Sequence, residues 1–263
     1  MFLKSLKLVF FIFLWESVIS GFGQSKTISH PVLVELFTSE GCSNCPWADK
    51  IMTTLQNEYH KLGLPVYFVG YHVDYWNYLG WKDRFSSFLY TERQKEYAKR
   101  FHLQSIYTPQ VVINGNYETV GSNLELIKTH INNELQEEAD SNLKVIAEYD
   151  SNRKSIRIKY LIKEKHKNLD INFLLVEKEQ STKVLKGENA GELLSHINIV
   201  KQREYFKLKN DSIYEFIIKD RIQIKNHKLL VFVQEKGIKS INTAVETDII
   251  IPQKNIQRLS KLK

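Results

Sequence analysis

The hydrophobic and polar positions of this chain change their period near residue 140. Before that point, short apolar runs alternate with segments whose apolar residues recur every three or four positions. The runs predict buried strands and the spaced segments predict amphipathic helices. After residue 140, apolar and polar residues mostly alternate one by one, which predicts strands with one buried face. The pattern therefore divides the chain into an α/β half and an all-β half.

The predicted elements of the first half follow the order strand, helix, strand, helix, strand, strand, helix. The strands are expected at residues 32–37, 66–73, 110–114 and 117–120, and the helices at 46–61, 86–101 and 123–139. The second strand is an almost continuous apolar run, as expected of a strand buried on both faces. An aromatic-rich loop from Asp74 to Phe85 follows it.

The second half contains seven predicted strands and almost no helical periodicity. They are expected at residues 143–150, 155–162, 170–178, 196–206, 213–219, 228–235 and 239–250. Turn residues such as Asn152 and Gly237 separate them. Seven short strands joined by such turns are typical of a β-sandwich.

The N-terminus has the pattern of a secretory signal peptide. Lys4 and Lys7 precede an apolar stretch from Leu8 to Leu14, and the segment closes on small residues at Gly21 and Gly23. A membrane anchor is the alternative, but Glu16 leaves the run shorter than the ~20 residues that a spanning helix needs. We therefore expect an exported protein, periplasmic or extracellular, with no stable membrane insertion after cleavage.

Four segments result from these patterns, and the charge changes at the same boundary. The predicted segments are a signal peptide at 1–23, an α/β domain at 24–140, a β-sandwich domain at 141–252 and a polar tail at 253–263. The α/β segment is net acidic, whereas the remainder is net basic. The basic residues are scattered along alternating segments, so we expect a solvated surface and no nucleic-acid partner. An acidic partner or an anionic membrane face stays open as an alternative.

The only two cysteines, Cys42 and Cys45, lie where the first strand runs into the first helix. A bridge across two residues removes little unfolded-state entropy, so this pair indicates redox chemistry more than stapling. Unpaired N–H groups and the positive end of the helix dipole favour a thiolate there. The small residues Ser43 and Asn44 would leave those N–H groups free for Cys42, which favours the reduced form. A zinc or copper half-site and a purely structural bridge are the alternatives.

Several segments resemble the thioredoxin-like superfamily, and more closely an exported two-domain thioredoxin-like family of uncharacterised function. The matching segments are Glu35–Ser39, Gly41-Cys42, Cys45-Pro46, Ala48-Asp49, His72–Trp76, Leu79–Asp83, Tyr107–Gln110 and Gly187–Gly191. They span nearly all of the chain after the signal peptide. The resemblance implies a thioredoxin-like α/β N-terminal domain followed by an all-β sandwich-like C-terminal domain.

The resemblance also implies thiol–disulfide exchange with a protein client, without a cofactor or a metal. Cys42, the more exposed cysteine, would attack, and Cys45 would resolve the mixed disulfide. Pro109 resembles the proline that such proteins keep in the cis form opposite the cysteines, where the backbone of Thr108 can pair with an incoming substrate strand. A trans proline opening a strand is the alternative.

Three further polar residues are candidates for supporting this site. His72 and Asp74 are two positions apart at a strand end and so face the same side, where they could tune the thiols or shuttle a proton. The alternative is a buried pair that holds the aromatic loop. Glu35 is one position away from the buried acid of thioredoxins, a place that Leu36 takes here. We therefore expect Glu35 to be a structural partner of the strand's polar face, of His72 or of Lys50.

The loop Lys186–Gly191, with His196 beyond it, is the one conspicuous loop of the basic half. Its glycines suit a tight turn, and we expect it to dock on the first domain more than to bind a ligand. The predicted function is that of an exported thiol–disulfide oxidoreductase. A copper or zinc carrier using Cys42, Cys45 and His72, and a redox-inert binding module, are the alternatives. The sequence defines neither the client nor an oligomeric state.

Overall fold

The computed structural model describes residues 29–138, 142–163 and 167–252. The predicted signal peptide, the predicted boundary at residue 140 and the predicted tail lie outside these residues. Within the described ranges, no helix is both long enough and apolar enough to cross a lipid bilayer.

The first half contains the predicted elements in the predicted order, and their bounds agree within a few residues. They are β1 (Val32–Thr38), α1 (Cys45–Lys61), β2 (Val66–His72), α2 (Phe88–Arg100), β3 (Gln110–Ile113), β4 (Tyr117–Val120) and α3 (Leu124–Gln136). The side chain of Ser87 caps α2 by accepting a hydrogen bond from the Leu89 N–H. The Asn123 side chain caps α3 in the same way. Each cap satisfies an N–H that has no partner inside the helix.

The second half forms the seven predicted strands. They are β5 (Asn142–Asp150), β6 (Ser155–Lys163), β7 (Leu169–Lys183), β8 (Leu193–Lys207), β9 (Asp211–Ile217), β10 (His227–Glu235) and β11 (Ile241–Ile250). The hairpin strands β7 and β8 are 15 residues each, longer than predicted.

All of these strands belong to one 11-stranded mixed sheet with the order β4-β3-β1-β2-β8-β7-β10-β11-β5-β6-β9. The two halves join where β2 and β8 run parallel, with Gly70 opposite Ile199. The prediction of a thioredoxin-like α/β domain followed by a separate all-β sandwich is therefore wrong. Alternation along the sequence reveals strands but not which edge each strand pairs. The unpaired groups of an exposed β2 edge are covered by β8.

Hydrophobic packing also joins the two halves. Phe37 and Tyr71 of the first half share a core with Leu174 and Phe232 of the second. The opposite face of β1 packs Leu36 against α1 and α3 in a second core. A third core lies within the second half, between strands such as β6 and β7.

A buried ion pair crosses the core that both halves share. Nη2 of Arg93 on α2 lies 2.7 Å from Oε1 of Glu35 on β1, and both side chains are almost fully buried. Tyr97 donates a hydrogen bond to the same carboxylate. Arg93 also donates to Oε1 of Gln234 on β10, over 3.3 Å. Glu35 is thus a structural group on the α2 face of the sheet, although its partners are not the expected His72 and Lys50.

We expect Arg93→Met to lower the free energy of unfolding by roughly 3–5 kcal/mol, because it leaves the Glu35 carboxylate buried without a counter-ion. Urea unfolding followed by circular dichroism measures this. The matched control is Lys95→Met on the same helix, whose ion pair with Glu92 is exposed and should be worth less than about 1 kcal/mol. The double variant Glu35→Gln/Arg93→Met should recover part of the loss, and no recovery would contradict this account.

Candidate functional site

Cys42 and Cys45 form a disulfide at the start of α1, with a Cα–Cα distance of 5.4 Å. Cys45 is the first residue of the helix, and Cys42 lies in the preceding turn. The Cys45 N–H donates to the Cys42 carbonyl over 3.2 Å. Cys42 is 2% exposed and Cys45 is 0% exposed, so Cys42 is the more exposed of the two by a small margin, but both cysteines are buried.

The Thr108–Pro109 turn lies beside this helix, and its peptide bond is cis. Gly121 shows how closely the parts approach, since a Cβ there would lie 2.9 Å from the Cβ atoms of both Ala48 and Pro109. Ala48 is three residues beyond Cys45 on α1. Pro109 therefore packs near the first turn of the helix.

Trp76, for which the sequence predicts no role beyond the aromatic loop, links the two turns. Its indole N–H donates to Oγ1 of Thr108 over 2.8 Å. Its Cβ would lie 3.0 Å from a Cβ added at Gly41, the residue before Cys42. The aromatic loop thus covers the cysteine turn on one side. The position of Trp76, four residues after His72 in the sequence, is the one sequence feature that indicates a place near the site.

His72 pairs with Asp83 and not with Asp74. The distance from His72 Nδ1 to Asp83 Oδ2 is 2.7 Å, whereas Asp74 accepts a hydrogen bond from Thr91 at 2.6 Å. Burial alone would raise the pKa of Asp83, but the His72 ring and two backbone N–H groups outweigh it and lower that pKa. His72 therefore holds the aromatic loop, in line with the alternative reading of this residue.

A second histidine, His196 on β8, joins His72 in a buried histidine–carboxylate cluster. We use this name for Glu40, Asp49, His72, Asp83 and His196. Nδ1 of His196 lies 3.3 Å from Asp49 Oδ1, and Nε2 lies 3.7 Å from Glu40 Oε1. Its ring meets that of His72 edge-on, with centroids 4.7 Å apart. The cluster thus joins the cysteine turn, α1, β2, the aromatic loop and β8 in one place.

The charge of His196 follows from these neighbours. Burial lowers the pKa of an imidazole, but the carboxylates of Asp49 and Glu40 outweigh burial and raise the pKa of His196 to about 10. His196 is therefore a cation at neutral pH. Three buried atoms of the cluster find no hydrogen-bond partner among the described residues: His72 Nε2, His196 Nε2 and Glu40 Oε1.

Sequence reasoning missed most of this cluster, although two signals were present. Asp49 is four residues after Cys45, on the apolar face of a helix, where a carboxylate is out of place. His196 occupies an inward position of an alternating strand. No group of three or more His, Cys, Asp or Glu residues within the described ranges is arranged to hold a metal ion.

The loop between β7 and β8, residues 184–192, docks on the cysteine turn. The Asn189 side-chain N–H donates to the carbonyls of Glu40 and Cys42, over 2.9 Å each. Oε2 of Glu188 accepts a hydrogen bond from the Ser43 N–H at 3.1 Å. The predicted docking of this loop is confirmed. The expectation that small residues leave the N–H groups free for Cys42 is wrong at Ser43, because Glu188 occupies that donor.

The fold and the cysteine turn together define a mixed-sheet protein with a disulfide at the start of a helix. The chain belongs to the family described as a protein of unknown function, DUF1223, which matches residues 33–234. No match was found among curated proteins.

The fold was compared with solved structures, and the first of the following two is similar to it. The crystal structure of protein AGR_C_4864 from Agrobacterium tumefaciens has 23% sequence identity and a TM-score of 0.63, covering 83% of this chain and 94% of its own. This likeness shows the fold alone. A domain of the outer membrane lipoprotein Omp28 from Porphyromonas gingivalis has 14% identity and a TM-score of 0.25, covering 44% of this chain and 92% of its own.

We expect the stabilising effect of His196 to depend on pH. Because the folded-state pKa lies above the unfolded value of 6.5, the contribution is complete below pH ~6 and is lost as pH rises toward 10. The native chain should be more stable to unfolding than His196→Gln. This stability difference should be a few kcal/mol larger at pH 6 than at pH 10. Urea titrations at both pH values measure the difference.

The control for this measurement is His60→Gln, since His60 is exposed on α1. Its difference from the native chain should barely change between the two pH values. A His196→Gln difference that is constant with pH would show that the imidazole is not held as a cation.

Proposed function

We propose that this protein is an exported thiol–disulfide oxidoreductase that exchanges disulfides with a protein client through Cys42 and Cys45. The observation that carries the proposal is the disulfide at the start of α1 together with the Pro109 turn packed near the same helical turn. The resemblance of these segments to thioredoxin-like proteins supports it, as does the use of both cysteines of the chain in one short bridge. Export rests on the signal peptide predicted at residues 1–23.

The exchange itself follows ordinary thiol chemistry. A client thiolate attacks Sγ of Cys42, a bond forms between the two sulfurs, and the Cys42–Cys45 bond breaks with its electron pair leaving on Cys45. The client's second thiolate then attacks the mixed disulfide and expels Cys42 as a thiolate. The client is oxidised by two electrons and the cysteine pair is reduced. The reverse sequence reduces a client disulfide.

One observation favours a second candidate, a redox-inert binding protein. Both cysteines are almost completely buried, and a buried bridge is protected from attack by thiols. For the first proposal to hold, the residues that cover Cys42 must move aside when a client binds. The metal-carrier alternative lacks such support. Nδ1 of His72 is hydrogen-bonded to Asp83, and the other two proposed ligands, Cys42 and Cys45, are joined in a disulfide.

Trapping a mixed disulfide tests the proposal. We expect Cys45→Ser to form a stable adduct with a peptide that carries a single activated disulfide, because the resolving thiol is missing and only Cys42 can attack. Cys42→Ser should form none, since Cys45 lies deeper. Mass spectrometry of the folded chain under non-denaturing conditions measures the adduct.

A titration of the native chain in reduced and oxidised glutathione or dithiothreitol, with and without zinc or copper(I), separates the alternatives. A reversible two-electron transition supports exchange. A disulfide that is reduced only when the chain unfolds would favour the redox-inert binding protein. Stoichiometric metal uptake by the reduced chain would favour the metal carrier.

A further inference from the structure

The Glu188 carboxylate accepts the hydrogen bond of a backbone N–H that could otherwise stabilise a Cys42 thiolate. The Ser43 N–H directly follows Cys42 and precedes α1, among the backbone donors that favour a thiolate at a helix N-terminus. In the structure this N–H donates to Glu188 Oε2 over 3.1 Å. The donor is therefore taken by a group that is itself an anion.

The β7–β8 loop holds Glu188 in this place. Gly187 and Gly191 adopt φ values of +80° and +91°, which side chains other than glycine rarely adopt. The Gly191 N–H donates to the Val184 carbonyl at 2.9 Å, which closes the loop. Asn189, the residue after Glu188, is buried, and its side chain donates hydrogen bonds to the carbonyls of Glu40 and Cys42. Glu188 thus lies between the glycine turn and the anchored Asn189, and its solvent-exposed carboxylate accepts the hydrogen bond of the Ser43 N–H.

We infer that Glu188 is a positioning residue that sets the redox equilibrium of the Cys42–Cys45 pair in favour of the disulfide. This inference rests on the proposed function and gives that function a direction. A negative charge beside Cys42 raises the free energy of its thiolate. The pair then yields two electrons readily, so the favoured reaction is reduction of a client disulfide with formation of the Cys42–Cys45 bond.

Other charges near the cysteines are shared by the native chain and any Glu188 variant. Glu40 and Asp49 add negative charge beneath the turn, and His196 contributes a positive charge between them. The His72–Asp83 pair lies behind His196. A comparison of variants at residue 188 cancels these contributions and isolates the effect of the loop carboxylate.

The test compares Glu188→Gln and Glu188→Lys with the native chain. Glutamine keeps the acceptor for the Ser43 N–H and removes only the charge, and lysine reverses the charge. The equilibrium constant for reduction is measured in defined ratios of reduced to oxidised dithiothreitol, with the thiols counted by alkylation. Glu192→Gln is the matched control, because Glu192 is an exposed carboxylate of the same loop.

We expect Glu188→Gln to shift the equilibrium about three- to ten-fold toward the dithiol, as one charge a few ångströms away in partly aqueous surroundings should. Glu188→Lys should shift it further in the same direction. The thiolate pKa of Cys42, from the pH dependence of its alkylation rate, should fall in the same order. Both shifts should shrink in about 1 M salt. Glu192→Gln should stay close to the native value.

Equal equilibrium constants in the native chain, Glu188→Gln and Glu188→Lys would overturn the inference, as would a shift toward the disulfide. This outcome is distinct from failure of the proposed function. If Cys45→Ser traps no peptide while the Glu188 shifts are seen, the exchange activity fails and the electrostatic effect stands. If trapping succeeds and the shifts are absent, only the role of Glu188 is lost.

Discussion

The parallel pairing of β2 with β8 is the constraint on which the rest of the structure depends. It joins the two halves into one sheet and places the end of the β7–β8 hairpin over the start of α1. His196 reaches the cysteine turn only because β8 lies beside β2. The shared core and the Glu35–Arg93 ion pair reinforce the same junction from the α2 face. The candidate site is therefore assembled across the whole chain.

Electrostatics at this site are dominated by carboxylates. Glu188 of the β7–β8 loop, Glu40 of the turn before α1 and Asp49 of α1 itself surround the start of this helix, and His196 is the cation that makes burial of Glu40 and Asp49 tolerable. Uncompensated, a buried carboxylate costs several kcal/mol.

Local features of the fold could be predicted from the sequence, and the long-range ones could not. The strands, the helices, the cysteine pair and the docking of the glycine-flanked loop all follow from short patterns. The partners of charged residues do not, because Glu35 and Arg93 are 58 positions apart and meet only after the sheet has formed. The same limit explains the wrong partner for His72 and the wrong fold class. Whether β2 is an edge depends on a strand more than a hundred residues away.

Continuity of the sheet has a consequence for how this chain can be divided. A fragment that ended with α3 would expose to water the backbone edge of β2 and the parts of Phe37 and Tyr71 that pack against the second half. Exposed strand edges beside apolar surface recruit other chains and aggregate. The two halves are consequently unsuited to exchange as independent modules in evolution or in protein engineering, and variation is best tolerated in loops remote from their seam.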